Sequence, residues 1–145
     1  MLLINTRPSD RAISLTQQLQ AAQVAVLELP LLELHAMPYS DELLHLYQQL
    51  EQVQIIVVVS PTAAKIGMQY LQQAGVELSA LGQVHWVAVG KATEQALARY
   101  GIHSDVPEVE TSEGMLQLPV LKQLAVGSSV AFWRGEGGRQ CMMDH

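Results

Sequence analysis

Gln54-Ile55-Ile56-Val57-Val58-Val59-Ser60-Pro61-Thr62 decides the fold of this chain. A consecutive run of branched apolar residues, with no polar alternation, describes a strand buried on both faces, the pattern of a parallel sheet covered by helices on either side. The turn behind it ends the strand and starts a helix. Ser60 is a capping residue, Pro61 suits the first helical position, and Gly75 stops the helix after Ala74.

The same unit recurs in both directions. Towards the C-terminus, His85 to Val89 is a strand, and Gly90-Lys91-Ala92-Thr93 opens a helix that stops at Gly101. Val106-Pro107 ends a short extended piece, Thr111-Ser112-Glu113-Gly114 caps a further helix, and Ser129 to Trp133 is the last strand. Arg134-Gly135-Glu136-Gly137-Gly138-Arg139 then turns into a helix that has barely begun at His145. Towards the N-terminus, Ser40-Asp41 starts a helix with Leu43, Leu44, Tyr47 and Leu50 on one face. Leu31 to Pro38 carries no helix signal and reads as a crossing segment and domain boundary. Val24 to Leu29 is a strand closed by Pro30, and Leu2 to Asn5 is the first strand. Between them Thr6-Arg7-Pro8-Ser9 forms a turn and cap, with Ala12, Leu15, Leu19 and Ala22 at helical spacing. The alternation predicts an α/β fold with a mostly parallel sheet.

Composition bounds the function classes. The 145 residues are 49% apolar with few aromatics, enough for a core that buries roughly 70% of the unfolded surface. No apolar run reaches the ~18 residues of a membrane helix, and the apolar part of MLLINTRPSD is too short for a signal peptide, so the expectation is a cytoplasmic chain off the membrane. Cys141 is the only cysteine, which excludes an internal disulfide and fits a reducing compartment. A net charge of -6 argues against general nucleic-acid binding, which depends on phosphate neutralisation.

Within this acidic chain, six of the eight Lys and Arg residues stand just past a predicted strand end: Arg7, Arg11, Lys65, Lys91, Arg134 and Arg139. In a parallel sheet the carboxyl ends of the strands form the ligand edge, where helix N-termini offer unpaired N–H groups and a positive dipole end. Thr6, Ser9, Ser60, Thr62, Thr93, Thr111 and Ser112 add hydroxyls there. An anionic ligand on one cationic rim is the functional reading. Ser, Thr and Gly at helix starts are also ordinary caps, and both readings stay open at each single turn. The Gly135, Gly137 and Gly138 cluster likewise reads either as a tight turn or as an anion nest between two arginines.

The familiar phosphate motifs fail. The first turn has no G-x-G-x-x-G, and His85 and Ala92 break the Walker pattern before and after Gly90-Lys91. Asn5 and Ser60 stand where a phospho-acceptor receiver needs acidic residues. The five histidines are scattered, no nucleophile triad follows from spacing, and Cys141 with His145 supplies only two metal ligands, so no metal is expected.

With these turns in view, the chain resembles the uroporphyrinogen-III synthase family. The resemblance is carried by Thr6-Arg7-Pro8, Val59-Ser60-Pro61-Thr62-Ala63-Ala64, Ala88-Val89-Gly90-Lys91-Ala92-Thr93, PEVETSEG from Pro107 to Gly114 and FWRGEGGR from Phe132 to Arg139. It implies two parallel-sheet, flavodoxin-like lobes joined by extended linkers, with the active site between them. Residues 1–30 would open the first lobe, which is left incomplete, residues 31–38 would be the linker, and residues 39–145 would form a second lobe unfinished at its C-terminus. It also implies a cofactor-free lyase that converts hydroxymethylbilane into uroporphyrinogen III, losing water and inverting the last ring. Arg7, Ser60, Thr62, Lys91, Thr93, Thr111, Ser112, Arg134, Gly135, Gly137, Gly138 and Arg139 would bind the substrate's carboxylates. The tyrosine the family is thought to use lies on a segment beyond His145, so no catalytic residue is assigned.

Two functions follow as expectations. One is a tetrapyrrole cyclase of haem biosynthesis, truncated here and weakly active or inactive alone. The other is a non-catalytic anion-binding domain that self-associates, whereas the full-length family is expected to be monomeric. Neither calls for nucleic acid or membrane as partner.

Overall fold

The computed structural model describes residues 1–135, and the chain divides into two compact units, Met1–Pro38 and one that begins at Tyr39. The first unit is a single β-α-β turn. Strand β1 (Leu2–Asn5) and strand β2 (Ala25–Glu28) pair in parallel from Leu2 opposite Ala25 to Asn5 opposite Glu28, with helix α1 (Ser9–Ala21) between them in sequence. Ser9 is the first helical residue and not the cap. Pro8 takes that place, and its carbonyl accepts the N–H groups of Arg11 and Ala12 at 2.9 and 3.0 Å.

Little apolar surface is buried in this unit. Ala12, Asn5 and Thr16 are its buried residues, while Leu2, Ile4 and Leu27 are exposed. A polar clasp ties the three elements instead. Asn5 Nδ2 donates to the Ala12 carbonyl at 3.3 Å and to Thr16 Oγ1 at 3.1 Å, and Thr16 in turn donates to Glu28 Oε1 at 2.6 Å. The Asn5 Oδ1 accepts the Arg7 N–H at 3.3 Å, so the clasp also sets the turn that carries Arg7. Residues 29–40 have no helix or strand.

The second unit is built around strand β3 (Ile55–Val58), every residue of which is buried. Before it come helix α2 (Asp41–Gln48) and a 3-10 turn at Leu50–Gln52. Helix α3 (Pro61–Gln73) and a second 3-10 turn at Leu78–Leu81 lead to strand β4 (His85–Ala88) and helix α4 (Lys91–Ala98). Two single-turn helices, α5 (Ser112–Met115) and α6 (Pro119–Lys122), precede strand β5 (Val130–Trp133). The sheet order is β4-β3-β5 with both pairings parallel. The first strand of the unit is central, and the next two add on opposite sides, as in a doubly wound sheet.

The period of two along the strands separates two cores. Ile56, Val58, Trp86, Ala88 and Trp133 pack with Tyr47, Leu50, Ala64, Met68, Leu71 and Leu97 from α2, α3, α4 and their flanks. Ile55, Val57 and Val87 face the other way, against Met115, Leu118, Val120 and Leu121 of the α5–α6 segment. Each fully buried Ile or Val contributes about 1.5–3 kcal/mol before chain entropy is counted. That is why a strand of unbroken branched residues needs cover on both faces. The outer edge of β4 is closed by Asp105, whose N–H bonds the Trp86 carbonyl and whose carbonyl accepts from the Ala88 N–H, both at 2.9 Å. Gly75 and Gly101 end their helices at φ +71° and +77°, the left-handed stop that glycine allows.

Aromatic rings fill the α2–α3 side. Trp133 lies edge-on to Trp86 at 5.2 Å between centroids and stacks on Tyr47 at 5.7 Å; Tyr47 meets Tyr70 at 6.0 Å, and Tyr70 meets Tyr39 at 5.4 Å. α3 closes on this stack through Gly67, where any Cβ would overlap the Trp133 ring. Burial, followed by the neighbouring phenols of Tyr70 and Tyr39, pushes the Tyr47 hydroxyl well above its ordinary pKa.

Three measurements check this account. Gly67→Ala should lower stability by about 1–3 kcal/mol in thermal denaturation, because overpacking against Trp133 outweighs the ~1 kcal/mol that alanine gains in a helix; a rise would contradict it. Thr16→Val should cost about 1–3 kcal/mol, since the Asn5 amide and the Glu28 carboxylate lose a partner, and should speed amide exchange in β1. The Tyr47 pKa is raised on folding, so its stabilisation is complete below the unfolded value of about 10 and is lost as pH rises above it. Alkaline unfolding of Tyr47→Phe should therefore move to higher pH than that of the wild type.

Candidate functional site

The register of the three parallel strands fixes where a ligand edge lies. Val58 is level with Ala88 on one side and with Trp133 on the other. The chain thus leaves all three strands at one height, through Val59-Ser60, Val89-Gly90 and Arg134-Gly135. Adjacent strands are about 5 Å apart, so Ser60 stands between the Lys91 and Arg134 turns. The chain passes from β3 outward to β4 and then back across to β5, so the strand order reverses between β3 and β5, the place where open α/β sheets form their crevice.

Local sequence explains each turn. Ser60 caps α3, its Oγ accepting the Ala63 N–H at 3.0 Å, with Pro61 in the first helical position. Thr111 caps α5 in the same manner, accepting the Gly114 N–H at 3.0 Å. Both hydroxyls therefore do structural work through a lone pair, and each keeps its O–H proton for another acceptor. Gly90 caps α4 without a side chain, and Glu110 supplies the missing acceptor: its Oε1 takes the Lys91 N–H at 2.9 Å. This contact brings residues 110–112 to the same edge. Ser112 and Thr62 are half-buried, as is Arg134, whose Nε donates to the Gly135 carbonyl at 3.3 Å.

The expected residues are brought together in part. Ser60, Thr62, Lys91, Thr111, Ser112, Arg134 and Gly135 belong to turns of this one edge. Thr93 starts α4 too, but its side chain is buried, with 2% exposure, so a ligand reaches it only if the turn opens. Arg7 is exposed after β1 in the other unit. The cations expected on one rim thus divide over two sheets, Arg7 and Arg11 with β1, Lys65, Lys91 and Arg134 with the second sheet. Arg11 and Lys65 sit within helices α1 and α3, because those helices begin at Ser9 and Pro61. Gly137, Gly138 and Arg139 lie outside the described residues, as do Cys141 and His145. Among the described residues no group of three or more His, Cys, Asp or Glu side chains is placed to hold a metal ion, and no helix is long and apolar enough to cross a membrane.

Sequence reasoning missed Glu110. A glutamate in an exposed loop gives no signal by itself, and the glycine at position 90, where a side chain would overlap its carboxylate, is the one signal that could have found it. Tyr39, Tyr47 and Tyr70 are packed in the aromatic stack, and burial keeps the Tyr47 phenol protonated.

This arrangement can be compared with known proteins. A crystal structure of uroporphyrinogen III synthase from the extremely thermophilic bacterium Thermus thermophilus matches with a TM-score of 0.60 at 14% identity, over 99% of this chain and 55% of that one. A second Thermus thermophilus uroporphyrinogen III synthase structure gives 0.58 at 15% identity, over 99% and 56%. At such identities the likeness is one of fold, and the chain spans about half the length of these proteins. The family model described as uroporphyrinogen-III synthase HemD matches residues 13–145. The chain therefore belongs to the uroporphyrinogen-III synthase family.

Proposed function

We propose that the strand-end edge of the second unit binds the carboxylates of a linear tetrapyrrole, and that the chain serves the cyclisation of hydroxymethylbilane to uroporphyrinogen III. The observation that carries this is the level row of turns after β3, β4 and β5, where capping hydroxyls at Ser60 and Thr111 lie among the cations Lys91 and Arg134. A substrate bearing acetate and propionate groups on each ring offers several anions at once, and such a row meets several at once. Helix N-termini favour carboxylates through the same dipole that favours phosphates.

Electron-rich pyrroles supply most of the reactivity. Loss of hydroxide from the hydroxymethyl carbon leaves an azafulvene cation, and attack on it by a substituted pyrrole carbon gives a spiro intermediate that rearranges to the inverted ring. The hydroxide leaves with a proton as water, so no redox partner or cofactor enters the balance. The protein's share is to hold the folded chain so that this closure outpaces the spontaneous one, an effect of positioning and not of a nucleophile or base. In this assignment Ser60, Thr62, Thr111, Ser112, Arg134 and Gly135 contact carboxylates, Arg7 is a separate carboxylate-binding candidate on the first unit, and Gly137, Gly138 and Arg139 follow Gly135 in sequence. Residues 1–30 would open the first lobe of a synthase and residues 31–38 would be its linker to a second lobe begun at residue 39, in a cytoplasmic pathway of haem formation.

A second reading has its own observation. Ten of the fourteen exposed large apolar side chains found among the described residues fall within residues 1–37, which favours self-association of this chain.

The deciding experiment incubates the purified 145-residue chain with hydroxymethylbilane, separates isomers I and III, and records melting with uroporphyrinogen in parallel. Binding should raise the melting temperature by several degrees at saturating ligand, while isomer III from this chain alone should stay low. No shift at millimolar uroporphyrinogen would sink the proposal, and a chain that runs as an oligomer without binding would favour self-association.

A further inference from the structure

Gly90 has φ −168° and ψ 172°, an extended backbone that any residue adopts, so its conformation gives no reason for glycine. Space does. A Cβ at this position would overlap the carboxylate of Glu110, the end of an exposed side chain that would have to swing aside and give up the Lys91 N–H it accepts at 2.9 Å from nineteen residues away. The segment that carries Glu110 is tied to β4 at its start and braced only by local contacts at its end. Asp105 is hydrogen-bonded to Trp86 and Ala88 of β4. At the far end the Thr111 hydroxyl accepts from Gly114, and a Cβ on Gly114 would overlap the Val109 carbonyl. Between these ends, Lys91 is a cation on the first residue of a helix, where the dipole disfavours positive charge. A carboxylate beside it reverses that penalty.

We propose that Gly90 and Glu110 are a matched pair, and that Glu110 is a positioning residue: it caps α4 from a distance, pins the strap 105–112, and thereby sets where Thr111 and Ser112 stand on the strand-end edge. The anion at the start of α4 is then the protein's own. A ligand carboxylate finds the Lys91 N–H already taken and is directed to Ser60, Thr111 and Ser112 instead. The pairing stands independently of the proposed function; only the consequence for ligand rests on it.

A double-mutant cycle without ligand tests the pair. Gly90→Ala alone should lower the melting temperature by about 2–4 °C, the effect of losing the carboxylate cap on Lys91. In a Glu110→Ala background the same substitution should be neutral or slightly stabilising, because the overlap is gone and alanine restricts the unfolded chain. Additive effects would overturn the pairing. Amide exchange at Lys91 supplies a readout that does not depend on Gly90→Ala folding: Glu110→Ala should speed it about tenfold, and Glu110→Gln, which keeps an acceptor oxygen, should leave it close to wild type. Equal exchange in all three proteins would refute the cap. Titration with uroporphyrin then tests positioning, with several-fold weaker binding expected for Glu110→Ala and near-wild-type binding for Glu110→Gln. Unchanged affinity in Glu110→Ala would refute the positioning role. Failure of the wild type to bind uroporphyrin would count against the proposed function, and the ligand-free cycle would still decide the pair.

Discussion

Burial of Ile55–Val58 on both faces of the sheet is the constraint from which the rest of the second unit follows. A strand with no polar face must be central, paired on both edges, and covered above and below. Pairing with β4 and β5 in parallel satisfies its backbone groups, and parallel pairing obliges each connection to cross over the sheet. The crossovers supply the covering layers, α3 on one face and the α5–α6 segment on the other. They also return every strand to the same end of the sheet. The candidate ligand edge is thus not a separate device added to the fold but the other side of a packing requirement.

Two glycines show how close packing sets that edge. Gly67 lets α3 approach Trp133, the last residue of β5 and the neighbour of Arg134, so the turn after β5 is anchored by an aromatic stack running through Tyr47 and Tyr70. Gly90 does the same for the strap bearing Thr111. In both cases the missing side chain makes room for a group distant in sequence, and the turn nearby inherits its position from that contact. The first unit uses a different means: its sheet has little apolar surface to bury, and the Asn5–Thr16–Glu28 clasp holds the Arg7 turn by hydrogen bonds.

Much of the fold was legible because it is written in local patterns. The strand around Ile55–Val58, the Ser60 and Thr111 caps, and the stops at Gly75 and Gly101 each depend on residues within one turn of one another. What sequence did not disclose depends on distance. The α6 turn at Pro119–Lys122 has too few residues for a period, and its place comes from packing Val120 and Leu121 under Val57. The burial of Thr93 follows from the closeness of α4 to the sheet, whereas the sequence shows only a hydroxyl at a helix start. The Glu110–Lys91 contact joins a loop to a helix nineteen residues before it, and the division of cations between two sheets required knowing which strands pair.

The structural and functional readings of the capping hydroxyls, which the sequence left as alternatives, are compatible in the geometry. Ser60 Oγ and Thr111 Oγ1 each spend a lone pair on a helix N–H, and that bond removes much of the freedom a serine or threonine hydroxyl otherwise has. The O–H proton still has to find an acceptor, and a carboxylate arriving at the strand ends can provide one without disturbing the cap. A hydroxyl oriented before the ligand arrives loses little entropy on binding it. For a substrate whose reaction depends on being held in one folded shape, preset donors of modest individual strength on a rigid sheet edge serve better than long cations that must be ordered at each encounter. Under the proposed function, the hydroxyls, more than the lysine and arginine side chains around them, would be the part of this edge that carries shape information to a polycarboxylate.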